Sequence, residues 1–148
     1  MSLDTELIDL IADALETADL PDHTLVKYRR PKAILPEMCP MLVVWVRYKE
    51  PRPGTTQWYD AVVTVGVSWH EEAIEEAETL TPDEILSTSL LDNLDIIQTA
   101  IRDLCNIGNS ITEAWQMLPS TVTYMEPRRE TGLTEGYTCD VVINVTEE

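Results

Sequence analysis

The sequence predicts an α+β domain with one mixed, mainly antiparallel sheet of about four strands, arranged as two hairpins, on which an N-terminal helix and a central helix pack. Two segments carry apolar residues at helical spacing, and four segments are rich in β-branched and aromatic residues. Their order is helix, strand, strand, helix, strand, strand. With 148 residues the chain has the length of one domain, so residues 1–148 are assigned to a single domain.

Both predicted helices are amphipathic. Residues 3–18 have apolar side chains on one face, and Pro21 ends this first helix. The central helix begins at Thr81, an N-cap residue followed by proline and a capping-box glutamate, and Gly108 is placed to end it. Its apolar positions recur three or four residues apart, which predicts the main core helix: Leu86, Leu90, Leu94, Ile97, Ile101 and Leu104.

The predicted strands occupy residues 41–48, 58–69, 121–125 and 137–145, and turn-forming residues separate the members of each hairpin. Between the first helix and the first strand, a short segment at 25–28 leads into an irregular arm that Pro31, Pro36 and Pro40 interrupt.

The apolar pattern differs between the first two strands. In the second strand Tyr59, Ala61, Val63, Val65, Val67 and Trp69 share one face, and Asp60, Thr64 and Ser68 take the other. This alternation predicts that one face of that strand is buried. The nearly continuous apolar run at 41–46 predicts a first strand that is covered on both faces.

Composition excludes several classes of protein. A net charge of −17 argues against general affinity for nucleic acids, because phosphate binding depends on lysine and arginine. Cys39, Cys105 and Cys139 are odd in number and widely spaced, which favours a reduced compartment over a disulfide framework. No run of 18 apolar residues occurs, so we expect no contact with a membrane.

Catalytic motifs do not occur in the sequence. His23 and His70 do not stand at metal-ligand spacing from a cysteine or from each other, and neither a nucleophile elbow nor a phosphate-binding glycine loop is present. Neighbouring acids such as Glu71 and Glu72 are typical of a solvated face. We therefore expect no catalytic residues, no metal, no cofactor and no enzymatic activity.

The basic residues cluster in the predicted loops. They are Lys27, Arg29, Arg30 and Lys32 in the arm, Arg47, Lys49 and Arg52 at the first hairpin tip, Arg102 on the helix, and Arg128 and Arg129 entering the second tip. Residues 70–86 hold seven acids and no base. A subunit can thus present a basic patch to an acidic surface of its neighbour. The alternative is that these tips are simply solvated.

The tryptophans divide in a similar way. Trp45 and Trp69 lie inside predicted strands and are expected in the core, whereas Trp58 and Trp115 are candidate interface anchors. Together with the basic tips this gives the predicted oligomer or tail interface: Arg47, Lys49, Arg52, Trp58, Arg128 and Arg129.

The order of elements resembles that of a known family. The chain begins with a helix, a hairpin with a proline-rich tip and an acidic linker. A second helix follows, with the sequence Leu90-Leu91-Asp92-Asn93-Leu94-Asp95-Ile96-Ile97, and then a closing hairpin that ends in Val141-Val142-Ile143-Asn144-Val145. This pattern is similar to the tail terminator and tail completion (head–tail joining) proteins of long-tailed bacteriophages. The resemblance covers nearly the whole chain and rests on architecture, length and apolar pattern.

The resemblance implies a structural role in virion assembly. It implies a homo-oligomeric ring, usually a hexamer, that caps the tail tube and joins it to the head connector. The implied partners are other copies of the chain, the tail tube protein and the head connector protein, with DNA only passing through the lumen. The implied location is the tail or neck of the virion, after synthesis in the host cytoplasm.

Three alternatives stay open at this point. A head-side connector or stopper of the virion neck also uses small α/β subunits in rings. An acidic DNA mimic would inhibit a DNA-binding protein, although the basic residues interrupt the acids here. A small enzyme with scattered carboxylates would need a deep pocket in which carboxyl pKa values are raised.

Overall fold

The computed structural model describes residues 3–51, 61–72, 88–107, 115–124, 128–129 and 134–145. In chain order the elements are α1 (Leu3–Glu16), β1 (Thr24–Lys27), β2 (Met41–Pro51), β3 (Ala61–Glu72), α2 (Thr88–Ile107), β4 (Trp115–Tyr124), β5 (Arg128–Arg129) and β6 (Thr134–Val145). A 3₁₀ turn, Pro36–Met38, precedes β2. This is the α+β fold that the sequence predicts, and the predicted helix start at Thr81 and stop at Gly108 lie outside the described residues.

The described strands form one mixed sheet of six strands in the order β1-β2-β3-β6-β4, with β5 paired to β6. β1 is parallel to β2, and the other pairs are antiparallel. β2 and β3 form the first predicted hairpin, while β4 and β6 form the second. The sheet exceeds the four predicted strands because β1 has four residues and β5 has two, too few for a periodic pattern.

Both helices pack on the same side of the sheet, which we call the helix face; the opposite side is the arm face. Alternate strand residues meet the helices, so that Val44, Val67 and Cys139 lie side by side across three strands. The largest fully buried side chain is that of Trp69, which confirms its expected place in the core. The helices contribute Leu7, Ile11, Leu15, Leu90, Ile97 and Ile101 to this core.

β3 is buried on both faces: the apolar face that the alternation predicts, and the polar face as well. On the arm face Thr64, Ser68 and His70 are only 2%, 0% and 1% exposed. β3 lies in the interior of the sheet with β2 and β6 on either side, and the 3₁₀ turn contacts it. Alternation of residue type reports the face that needs apolar side chains, and it does not detect a polar face that the chain itself covers.

The connection between β1 and β2 crosses the arm face. Parallel neighbours cannot be joined by a tight turn, so residues 28–40 form this crossover. At its start Tyr28 has a positive φ of 76°, and its N–H donates a hydrogen bond to the carbonyl of Val44. The Cys39–Pro40 peptide bond is cis. The arm that the prolines predict is thus the segment that covers part of the sheet.

The start of the arm is attached to the first helix. Asp9 Oδ1 of α1 accepts hydrogen bonds from Tyr28 Oη at 2.5 Å and from Lys27 Nζ at 2.9 Å. The hydrogen bond from Tyr28, and then that from Lys27, hold the pKa of Asp9 below its ordinary value. The hydrogen bond to Asp9 in turn raises the pKa of Lys27 and that of Tyr28. This cluster fixes the direction in which the chain leaves β1.

Candidate functional site

The structure describes part of the interface that the sequence predicts. Arg47 and Lys49 lie in β2, and Arg128 and Arg129 form β5. Arg52 and Trp58 lie outside the described residues. Of the three basic residues assigned to the first hairpin tip, Arg47 and Lys49 therefore lie in the body of a strand, because β2 extends to Pro51.

Strand β6 contacts Arg47 through a side chain and pairs with β5. Arg47 Nη1 donates a hydrogen bond to Asp140 Oδ1 at 2.7 Å, which makes an ion pair between β2 and β6 across β3. β5 pairs with the same strand opposite Glu135 and Gly136. Gly136 and Asp140 are four residues apart in the chain, roughly 13 Å along a strand. The structure thus links Arg47 to β6 but does not bring it next to β5.

A β-bulge in β2 determines which side chains accompany Arg47. The register shifts between Val46 and Tyr48, so that Tyr48 pairs with Thr64, a residue of the arm face. Strict alternation would turn Tyr48 to the helix face, and the extra residue restores it to the arm face. Trp45, Arg47 and Tyr48 therefore all lie on the arm face.

Glycine in β3 provides the space under these side chains. A Cβ atom at Gly66 would lie 2.8 Å from Arg47 Cγ and 2.8 Å from Trp45 Cζ2, closer than real contacts allow. The Arg30 guanidinium, contributed by the arm, lies 5.5 Å from the centroid of the Trp45 ring, which is within cation–π distance. The absence of a side chain at Gly66 thus lets two arginines and a tryptophan gather in one place.

We call Arg30, Trp45, Arg47 and Tyr48 the tryptophan–arginine surface. A cavity of about 320 Å³ lies among Arg30, Trp45, Arg47 and Thr138. The two arginines and Tyr48 are exposed. Trp45 was predicted to lie in the core, but it is only half-buried. Arginine, tryptophan and tyrosine are the residues most enriched among those that dominate binding energy at protein interfaces.

This surface offers charged and aromatic groups for binding. Its neighbouring carboxylate, that of Asp140, is held by Arg47. Within the described residues, no three His, Cys, Asp or Glu side chains are grouped so that they could hold a metal ion. The chemistry available here is recognition through charge, cation–π contacts and apolar area.

A second polar cluster is buried on the helix face beneath the first turns of α2. Glu71 is 7% exposed, and its Oε2 accepts hydrogen bonds from Trp69 Nε1 at 2.7 Å and Asn93 Nδ2 at 3.0 Å. Its Oε1 accepts one from Ser89 Oγ at 2.8 Å. The fully buried Glu135 lies directly opposite on β6. Three donors stabilise the buried carboxylate, so Glu71 fastens α2 to β3.

The prediction that Glu71 lies on a solvated face is wrong, because Glu71 is buried. Its neighbour Glu72 is exposed, as expected for the outer position of the pair. The donors from Ser89 and Asn93 come from a later helix, so nothing within the acidic run indicates that one of its members is buried. Trp69, two residues before Glu71 on the same face, was the only local signal of burial.

Two titratable groups of β6 lie in the core. Burial raises the pKa of the Tyr137 hydroxyl far above its ordinary value, and Cys139 and Glu71 add to the effect. That hydroxyl has no hydrogen-bond partner within the described part of the chain. Burial, together with Asp140, raises the pKa of Cys139 to about 12. Neither group is a nucleophile at neutral pH, because both stay protonated.

The two histidines make local hydrogen bonds. His23 Nε2 lies 2.5 Å from Glu16 Oε1, and the His23 ring packs edge-on against Trp69 with 5.2 Å between ring centroids. His70 Nε2 lies 2.8 Å from Ser68 Oγ on the arm face. These contacts close the end of α1 over the core and tie β3 together, which are structural roles.

Comparisons with known proteins do not add a family. No family model matches the chain, and no curated protein is significantly similar to it in sequence. Among the described helices, α1 and α2 included, none has the length and apolar character that spanning a membrane requires. The tryptophan–arginine surface therefore carries the functional interpretation on its own geometry.

Proposed function

We propose that this protein is a structural component of virion assembly, a tail terminator of a long-tailed bacteriophage. In this role copies of the chain form a ring that caps the tail tube and joins it to the head connector. The tryptophan–arginine surface supports the proposal. It is a preformed patch of arginine, tryptophan and tyrosine side chains, which are residue types enriched at protein interfaces.

The energetics of Arg47 favour a role in binding over one in folding. Its side chain is 36% exposed and that of Asp140 is 21% exposed, and such solvent-screened ion pairs contribute about 0–1 kcal/mol to stability. Burial of the same pair in an interface removes water from it and strengthens its interactions with charged partners. A partner that covers Trp45 and Tyr48 would also bury aromatic area.

A ring gives the charge distribution a purpose. Subunits that each carry a net charge of −17 repel one another unless basic groups lie between them. Arg30 and Arg47 are basic groups on a surface that another protein can reach. An acidic lumen would let DNA pass without holding it. The proposed partners are thus further copies, the tail tube protein and the head connector protein.

Native mass spectrometry of the purified protein, over salt from ~0.05 to ~0.5 M, tests the proposal. We expect a closed ring of about six subunits whose population falls as salt rises. Electron microscopy of the same sample should show a ring with a central lumen. A stable dimer, or a monomer at every salt and protein concentration, would contradict a ring-forming terminator.

A variant sharpens this test. Arg47→Met should weaken ring assembly while the free energy of unfolding changes by less than about 1 kcal/mol. Methionine is preferred to glutamate, because a glutamate at this position would face Asp140 and add repulsion. Arg102→Met is the matched control, since Arg102 is an exposed base on α2, on the other side of the sheet. Equal effects of the two variants would mean that Arg47 has no special place in assembly.

A further inference from the structure

A groove lies between the two helices on the outside of the helix face. It has a volume of about 540 Å³. Its lining combines small and apolar side chains with two carboxylates, and it includes Ala14, Ala18, Ile96, Ala100, Asp95 and Asp103. An apolar floor with acidic edges fits a ligand that has an apolar group flanked by positive charges.

The surroundings of the groove are also acidic. Among the side chains of α1 and α2 whose exposure the structure describes, the exposed charged ones are six acids, Glu6, Asp13, Glu16, Asp92, Asp95 and Asp103, and one base, Arg102. This potential attracts a basic segment from a distance and repels an acidic one. Because the whole chain is strongly acidic, a second copy meets the least repulsion at this surface when it approaches through one of its basic segments.

The arm provides such a segment. Arg29 and Lys32 are exposed, and within the described part of the chain neither has a carboxylate partner. Leu35, three residues after Lys32, is 47% exposed, so its apolar side chain is accessible to a partner. Residues 29–35 therefore contain three basic residues, of which Arg30 lies over Trp45, and one exposed apolar anchor, Leu35.

The geometry prevents one copy from satisfying itself. The arm crosses the arm face of the sheet, as the contact of Arg30 with Trp45 shows, whereas the groove lies on the outside of the helices. The sheet and the helix layer separate the two. A contact between the arm of one copy and the groove of another joins two different surfaces, and such heterologous contacts repeat until a ring closes or a filament grows.

We propose that residues 29–35 of one copy dock in the groove between α1 and α2 of a second copy. Leu35 enters the apolar floor beside Ile96 and Ala100, and Arg29 and Lys32 face Asp95 and Asp103. The closure of these contacts into a ring rests on the proposed function, whereas the docking of arm into groove does not. The tryptophan–arginine surface, next to the arm, lies at the edge of the same contact.

A charge swap tests the docking. Asp95→Lys with Asp103→Lys reverses the groove, and Arg29→Glu with Lys32→Glu reverses the arm. Each double variant should associate on the order of 100-fold more weakly than the wild type, because like charges then meet. The chain that carries all four changes should recover association, since opposite charges meet again. Glu6→Lys, an exposed charge reversal outside the groove lining, is the control and should leave association nearly unchanged.

A second pair of variants tests the apolar anchor. Leu35→Ser should weaken association by about tenfold, the loss expected when one buried leucine is removed from a contact. Leu91→Ser is matched in exposure, at 46% against 47% for Leu35, but Leu91 lies outside the groove lining. Circular dichroism of both variants should match the wild type, because both side chains are exposed. Equal effects on association would overturn the role of Leu35.

Cross-linking separates this inference from the proposed function. A carbodiimide joins an amine to a carboxylate without a spacer, so a mixture of isotope-labelled and unlabelled copies should give mixed-isotope peptides that link Lys32 to Asp95 or Asp103. Rings that persist when Asp95→Lys and Asp103→Lys reverse the groove would overturn the docking but leave the terminator proposal standing. Open chains that carry the cross-link would support the docking and overturn the ring. An unassociated wild type without mixed-isotope peptides would overturn both.

Discussion

Two polar clusters on opposite faces of the same sheet serve opposite purposes. The Glu71 cluster lies on the helix face, where three donors surround a carboxylate that is 7% exposed. The Arg47–Asp140 pair lies on the arm face, and water reaches both of its members. In each case an acidic residue of β3 or β6 meets a partner from another element. The difference in exposure decides what each cluster contributes.

Burial makes the first cluster a matter of stability. A charge in the interior costs several kcal/mol unless hydrogen bonds compensate it, and loss of one partner leaves others unsatisfied. Solvent screening keeps the second cluster inexpensive to change, so its side chains remain adaptable for a partner. Substitutions at the first cluster should therefore unfold the domain, and those at the second should alter what it binds.

The largest effect is expected at Glu71. Glu71→Leu leaves the donors of Trp69, Ser89 and Asn93 without their acceptor, and it should lower the free energy of unfolding by about 3 kcal/mol. Urea denaturation measures this change. Glu72→Leu is the matched control, because Glu72 is exposed, and it should change stability by less than about 0.5 kcal/mol. Similar changes in the free energy of unfolding for both variants would show that the Glu71 cluster does not stabilise the domain.

A smaller effect on stability is expected at Gly66, which lies in β3 beneath the side chains of Trp45 and Arg47. Gly66→Ala forces a methyl group to within 2.8 Å of Arg47 Cγ and Trp45 Cζ2, and it should destabilise the domain by about 1–3 kcal/mol. Trp45→Leu in the same chain removes one of the clashing groups, so the double variant should lose less than the sum of the two single variants. Additive losses would mean that the methyl group does not meet Trp45.

The pH dependence of the Asp9 cluster gives a third test, on an exposed site. A carboxyl pKa below its ordinary 3.8 stabilises the fold above that value, and this stability is lost as pH falls through the folded-state pKa. The pKa values of Tyr28 and Lys27 are raised above their ordinary 10.0 and 10.5. The stability that these two groups contribute is fully present below the ordinary values, and it is lost as pH rises through the folded-state pKa values.

Wild type and Asp9→Asn should therefore differ in stability by a constant amount between roughly pH 5 and roughly pH 9. The difference should shrink at both ends of the scale. Urea denaturation over a series of buffers provides the measurement. A difference that grows as the pH falls below 5 would contradict the direction assigned to the pKa of Asp9.

The last prediction concerns the alkylation of the cysteine thiols, which does not require a change in the sequence. With a pKa of about 12, the buried thiol of Cys139 is ionised in only about one molecule in ten thousand at pH 8. Iodoacetamide should label the half-buried Cys39 first, and Cys139 should react only after unfolding in urea. Peptide mass spectrometry measures both rates. Labelling of Cys139 as fast as Cys39 in the folded protein would show that β6 opens readily.

Much of the fold could be read from periodicity. The helix at α1, the hairpin of β2 and β3 and the closing strand β6 all have apolar residues at the spacing of their element, and the structure has each of them. The candidate surface was only partly predictable. Arg47 was identified by charge, but Arg30 and Tyr48 were not assigned to it, because their places depend on the crossover of the arm and on the bulge.

The sequence by itself determined the α+β class, the core of alternate residues around Trp69 and the acidic character of the chain, because spacing and composition are local properties. Only the tertiary structure decided which charges are buried and which are exposed. Glu71 and Glu72 are adjacent and identical in type, yet one is held by three donors and the other meets water. Their difference comes from the helix that packs over one face of the strand, and long-range packing of this kind leaves no mark on a short stretch of sequence.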